Sequence, residues 1–245
     1  MNFGTHTLLL RPREWHDIRI SSSRLAIEPA NKLLWYRDSQ NNSLAVAEFL
    51  EPGDALSIES EVVVEHYAER SHDAMRKQAA NLWYPFQYAA MERAELGPYM
   101  LPVFAEGGGI VEDWINQFWQ PGGIINLLEL LDKINAAVYR SISYQTRQSF
   151  GVQRPSLTIS EGSGSCRDLA TLFLEACRHF GIAARFVSGY HYAPGLAATD
   201  RSTHAWAEVY IPGLGWSGYD PTLGTGVAGD HIPVAVARHP ELVPP

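Results

Sequence analysis

The apolar positions change their period along the chain, and that change divides it. Up to about residue 70 they recur at every second position: Ile18 and Ile20, Leu25 and Ile27, Leu44 and Val46, Leu56 and Ile58. A period of two is that of a strand with one buried face. Turn-forming clusters separate these runs, namely Ser21–Ser23, Pro29–Asn31, Asp38–Ser43 and Pro52–Asp54, and predict a small β-sandwich over residues 1–70. From 71 to 109 the prolines and aromatics, among them Trp83–Tyr88 and Gly97–Pro102, follow no period. An extended connector is expected there, its aromatics packed on the next domain.

Beyond Gly107-Gly-Gly109 the period becomes helical. Val111, Trp114, Ile115, Phe118 and Trp119 predict a helix stopped by Pro121-Gly-Gly123, and Ile124, Leu127, Leu128, Leu131, Ile134 and Val138 predict a longer one. A third stripe, Leu169, Leu172, Phe173, Ala176 and Phe180, ends at Gly181. Alternation then returns around Arg185–Tyr190 and over His204–Ile211, where His204, Trp206, Glu208 and Tyr210 share one face. His191–Thr203 between them reads as a flexible stretch. A second strand of the hairpin ends on Asp220, and the tail from Gly224 onward is expected to lie back across the sheet. The assembly is α+β, with a domain over 110–245 in which an antiparallel sheet packs on a central helix.

The chemistry begins where the third helix begins. Gly162-Ser-Gly-Ser-Cys166-Arg-Asp-Leu puts a thiol at a helix N-terminus, where unpaired N–H groups and the macrodipole favour a thiolate. Gly162 and Gly164 leave room for the backbone to approach a ligand. His204 and Asp220 follow in the order in which a nucleophile, a proton carrier and its orienting carboxylate are needed. The geometry imposes a condition on them. A four-residue hairpin loop pairing Ile211 with Trp216 would make paired positions sum to 427 and turn Asp220 away from His204; an even sum is required. Tyr144 and Ser165 are candidate oxyanion or substrate-side groups beside the Cys166 N–H. Cys177 reads as a core thiol, His179 as a partner of the helix C-terminus, and Arg167 and Asp168 as loop fasteners.

These motifs resemble the transglutaminase-like superfamily of papain-like cysteine enzymes. The matching residues are Gly164-Ser-Cys166-Arg-Asp-Leu, Gly181–Tyr190, His204-Ala-Trp206 and Asp220-Pro-Thr222. The N-terminal part, with Leu10-Arg-Pro-Arg13 and the Asp38–Asn42 turn, is similar to the region that precedes bacterial transglutaminase-like domains. The resemblance implies acyl transfer on an amide or peptide bond through a thioester, resolved by water in a peptidase or amidase. The alternatives are resolution by an amine in a transglutaminase, or a non-catalytic peptide-binding module on the same fold.

Composition narrows the partners. A net charge of −8 disfavours nucleic acid and anionic membranes, which need a basic face. Two cysteines on one helix, about 16 Å apart, cannot bridge, so a reducing compartment, the cytoplasm, is expected. No Cys-x-x-Cys or His-Glu-x-x-His occurs, and no metal or cofactor is expected. Leu8–Leu10, cut short by Arg11, is too brief for a secretory core. Oligomeric state is not written in the pattern.

Overall fold

The computed structural model describes residues 1–67, 77, 79–104, 109–147, 149–192 and 203–243. The N-terminal part holds five strands: β1 His6–Leu8, β2 Ile18–Glu28, β3 Asn31–Arg37, β4 Ser43–Phe49 and β5 Ser57–His66. They form a three-stranded sheet in the order β1-β4-β3 and a two-stranded ribbon, β2-β5. Two readings of this part need correction. Ser21–Ser23 is not a turn: β2 runs through it, and the pairing with β5 slips between Ile20 and Ser22. The hydroxyls sit on a largely exposed ribbon, where a bulge is tolerated. Strand β3 was not legible because Leu34, Trp35 and Tyr36 are all exposed and leave no alternation.

The presumed connector is not simply extended. Helix α1, Ala90–Met100, lies within it, although Leu96 is its one buried residue and Pro98 interrupts its last turn. Its aromatic neighbours pack as expected. Tyr84 stacks edge-on against Trp119 and Phe180, at 5.0 and 5.7 Å between ring centroids. Residues 68–70 at the end of the N-terminal part, and 71–76, 78 and 105–108 of the connector and the opening of the second domain, lie outside the described residues, as do 193–202 of the stretch read as flexible.

Helices α2 (Ile110–Asn116) and α3 (Leu127–Ser141) lie within the two predicted stripes, but α2 ends before Phe118 and Trp119, and Ile124 precedes α3 and is exposed. Asn126 caps α3, its side chain accepting from the Leu128 and Glu129 N–H groups. Short strands β6 (Trp83–Tyr84) and β7 (Ile125–Asn126) pair just before it. After α3 come β8 (Ser143–Tyr144), α4 (Pro155–Glu161), β9 (Ser163–Gly164) and the central helix α5, Cys166–His179. Every α5 residue from Cys166 to Arg178 is buried, which is why its stripe was so legible. Gly181 ends it with φ +69° and N–H bonds from Gly181 to Arg178 O and from Ile182 to Cys177 O.

The remaining strands are β10 (Ala184–His191), β11 (Thr203–Ile211), β12 (Gly215–Asp220), β13 (Thr225–Gly226) and β14 (His231–Ala237). They form one antiparallel sheet in the order β13-β12-β11-β10-β14, so the tail does return to the sheet, at its edge beside β10. One core runs between α3, α5 and this sheet, with Leu131, Ile134, Leu172, Phe173, Ala207 and Val209 in it. The N-terminal part covers the β14 edge. Asn42, buried, accepts from the Val236 N–H at 2.9 Å and donates to the Val236 carbonyl at 2.8 Å, pairing the edge as a strand would.

Candidate active site

Three segments converge at the N-terminus of α5. A backbone turn fixes the first. Ser165 is the N-cap of α5 and closes a capping box with Asp168, whose carboxylate accepts from the Ser165 N–H at 2.7 Å and its hydroxyl at 2.8 Å. Asp168 also accepts two bonds from the Arg147 guanidinium, at 2.6 and 3.0 Å, and one from the Gln153 N–H at 2.6 Å. Burial penalises its charge, but these bonds outweigh it and hold the carboxyl below its ordinary range. Asp168 is thus the fastener of the loop that presents Cys166, as its sequence position indicated.

The glycines of this loop have a different task from the one expected. Gly162 is the left-handed cap of α4, at φ +60°, and a Cβ on Gly164 would lie 2.9 Å from Asp168 Cβ. Gly162 supplies the left-handed turn, and Gly164 leaves room for the Asp168 side chain. Ser165 likewise directs its hydroxyl to Asp168. Tyr144 lies beside the loop, because β8 pairs in parallel with β9 and sets Tyr144 against Gly164; about half of its surface is exposed.

The second and third segments are the hairpin strands. In β11 and β12 the pairs are Ala207–Tyr219, Val209–Ser217 and Ile211–Gly215, which sum to 426. The sum is even because the loop has three residues, Pro212–Leu214, with Gly213 and Gly215 at φ +77° and +81°. Asp220 therefore shares a face with Trp206 and His204. His204 Nε2 lies 2.7 Å from Asp220 Oδ2, and the imidazole is also hydrogen-bonded to Cys166. Burial works against a charged imidazole here. The bonds to Asp220 and Cys166 prevail and raise its pKa to about 9.

Asp220 is fully buried and fully engaged. Its Oδ1 accepts from the Thr222 and Leu223 N–H groups, at 2.8 and 3.3 Å. Its Oδ2 accepts from a second imidazole, that of His231, whose Nε2 is 3.0 Å away. Burial opposes the charge, and the two imidazoles outweigh it and hold the carboxyl well below its usual range. His231 was missed by sequence reasoning: one histidine among nine, 11 residues beyond Asp220, carries no local signal. His191 was placed in a flexible stretch; it closes β10 instead, with Nε2 3.2 Å from Asp230 Oδ2. Cys177 is buried in the core, and burial pushes its thiol up strongly. Trp206 is wholly buried, and Trp216 lies under the Arg185 guanidinium.

A central helix opening on a cysteine, packed on an antiparallel sheet that brings a histidine and an aspartate to it, is the architecture of the papain-like cysteine folds. Residues 122–221 match the transglutaminase-like superfamily, and residues 1–65 match the bacterial transglutaminase-like N-terminal region. The domain that carries the site belongs to that superfamily. The whole chain is similar to an uncharacterized protein of Mycobacterium tuberculosis, 27% identical over 251 residues that cover 96% of this chain and 78% of that protein. An uncharacterized protein of Mycobacterium leprae is 35% identical over 79 residues, 31% of this chain and 28% of its own length. Among solved structures, a putative cysteine protease from Cytophaga hutchinsonii shares the fold, with a TM-score of 0.72 over 96% of this chain and 76% of that one, at 18% identity. Among the described residues, no helix is long and apolar enough to cross a membrane.

Proposed function

We propose that the chain is a cysteine-dependent acyl-transfer enzyme that cleaves an amide or peptide bond and passes the acyl group to water. The observation that carries this is the imidazole of His204, hydrogen-bonded both to Cys166 and to a buried Asp220 carboxylate. A core histidine needs one partner, and a structural cysteine needs none. An imidazole shared between a thiol at a helix start and a buried carboxylate is what thiolate chemistry requires.

The steps follow from the geometry. Cys166 Sγ adds to the carbonyl carbon, and the carbonyl electron pair moves to oxygen. Cys166 is the first residue of α5 and the Gly162 carbonyl accepts from the Ser143 N–H instead, so the Cys166 N–H is the group we assign to that oxyanion. Tyr144, about half exposed and paired with Gly164, is our candidate for a side chain lining the same opening. The C–N bond then breaks as imidazolium His204 gives its proton to the leaving amine. A thioester remains. Water attacks it, His204 takes the water's proton, and the C–S bond breaks to release the acid and restore the thiolate. Asp220 stays ionised throughout and holds the ring orientation.

The fold shared with a protein described as a putative cysteine protease supports the hydrolytic outcome over transamidation. The substrate is then a peptide or protein amide, and two unbridged thiols accord with a reducing, cytoplasmic setting. The test is a peptidyl electrophile that mimics an amide, followed by peptide mapping and by turnover of a peptide library with and without a primary amine. Adduct on Cys166 and free acid as the main product are expected. An adduct elsewhere removes the nucleophile assignment, and an amine-linked product as the main one replaces hydrolysis by transamidation.

A further inference from the structure

A second cluster of donors continues outward from Asp220. His191, the last residue of β10, is the cross-strand partner of His231, the first residue of β14, and their rings lie 4.8 Å apart. Asp230 stands between them. Its Oδ1 is 2.7 Å from His231 Nδ1, and its Oδ2 is 3.2 Å from His191 Nε2. One donor atom from each of the three falls within 4.8 Å of the others. Both histidines sit in paired strands, so the backbone holds the spacing without a ligand.

His231 is held from both sides: its Nε2 lies 3.0 Å from Asp220 Oδ2, and its Nδ1 lies 2.7 Å from Asp230 Oδ1 and 3.5 Å from the Ala228 N–H. Two imidazole nitrogens and a carboxylate oxygen are the donor set of zinc and its neighbours in the first transition row. A ligating histidine that donates its other N–H to a carboxylate is the usual outer-shell arrangement, and Asp220 supplies it here. The Asp230 side chain is 43% exposed and that of His191 21%, which gives an ion a way in and leaves a side open to water.

We propose that His191, Asp230 and His231 form a binding site for a divalent transition-metal ion of the zinc type, with three protein ligands and one solvent-facing position. The expectation of no metal rested on local motifs. This site has none, since His191 lies 39 residues before Asp230 and the two meet only through the pairing of β10 with β14. A competing inner group, His204, Asp220 and His231, also has its donor atoms within 4.8 Å. There both imidazoles already donate to the same buried oxygen, and an ion would have to displace both protons. The outer cluster has the open face. The inference stands apart from the acyl-transfer reading, because its test reads binding and not turnover.

The experiment is calorimetric titration of the full chain, as the Cys166→Ala variant, with zinc, and a parallel cobalt titration followed by visible absorption. Removing the thiol removes the strongest competing ligand. Binding of one ion per chain is expected, with cobalt bands of a four-coordinate site. His191→Ala and Asp230→Asn should each weaken it by about 10-fold or more, while His204→Ala leaves it unchanged. Circular dichroism checks the fold of each variant, and His191→Gln serves if the alanine variant does not fold. Absence of stoichiometric binding overturns the proposal. So does loss in His204→Ala equal to or greater than the loss in His191→Ala, which would move the ion to the inner group.

Discussion

His204 and Asp220 lie on one face of the sheet because the loop that joins their strands has three residues and not four. The pairing sum of 426 fixes this, and the 2.7 Å contact between Nε2 and Oδ2 follows from it. A sum of 427 would have turned the carboxylate to the opposite face, with no distance argument left to make.

Both oxygens of Asp220 are in use, and this decides how an amide would behave in its place. In Asp220→Asn one oxygen can still accept from His204 and His231, but the new NH2 group then faces the Thr222 and Leu223 N–H groups. Donor against donor should lower stability by about 1–3 kcal/mol without abolishing the fold. Turnover should fall by less than in His204→Ala, which removes the proton carrier and about 10²–10⁴-fold in rate. Urea unfolding and kcat for the two variants check both parts. An equal loss of rate would mean that the carboxylate charge itself is needed.

Asp168 gives the cleanest dependence on pH. Its folded pKa is depressed, so its stabilising contribution is complete above the unfolded value of about 3.9 and is lost as pH falls through the lower folded value. Asp168→Asn loses the charge that Arg147, Gln153 and Ser165 surround and should destabilise the chain by about 2–3 kcal/mol at pH 7. The gap between variant and native chain should close as the pH is taken below about 4. Unfolding curves at pH 7 and in acid measure it. A gap that does not change with pH contradicts the assignment.

Asn42 tests whether the N-terminal part and the sheet stand as one unit. Asn42→Ala leaves the Val236 N–H and carbonyl, and one Arg13 bond, without their partner. Two backbone groups of an edge strand stripped in a buried place should cost about 2–4 kcal/mol. The measurement is the unfolding midpoint, and a change within error would show that water replaces the side chain without loss.

How much of this was legible in the chain depends on burial. Helix α5 is buried from Cys166 to Arg178 and announced itself through Leu169, Leu172, Phe173 and Ala176. Helix α1 buries only Leu96 and showed no stripe. Strand β3 exposes Leu34, Trp35 and Tyr36 and was lost for the same reason. Cys166, His204 and Asp220 could be singled out because each sits in a local pattern, a helix start or a strand end. Their meeting rests on register, which the sequence poses as a condition on parity without deciding it. His231 and His191 had no pattern of their own. They are drawn in by the pairing of β14 with β10, a contact between segments that nothing nearby in sequence foretells.

The central claim is that Cys166 is the nucleophile and His204 its proton carrier, and iodoacetamide tests it directly. The two thiols of the chain make an internal comparison, since Cys177 is buried among core side chains that push its thiol up, while Cys166 opens α5 beside an imidazole. Native protein treated below pH 8 and digested for mass spectrometry should carry the label on Cys166, with Cys177 unmodified until the chain is unfolded. His204→Ala should slow the labelling of Cys166 at the same pH. Equal labelling of the two cysteines in the native chain, or none at Cys166, contradicts the account.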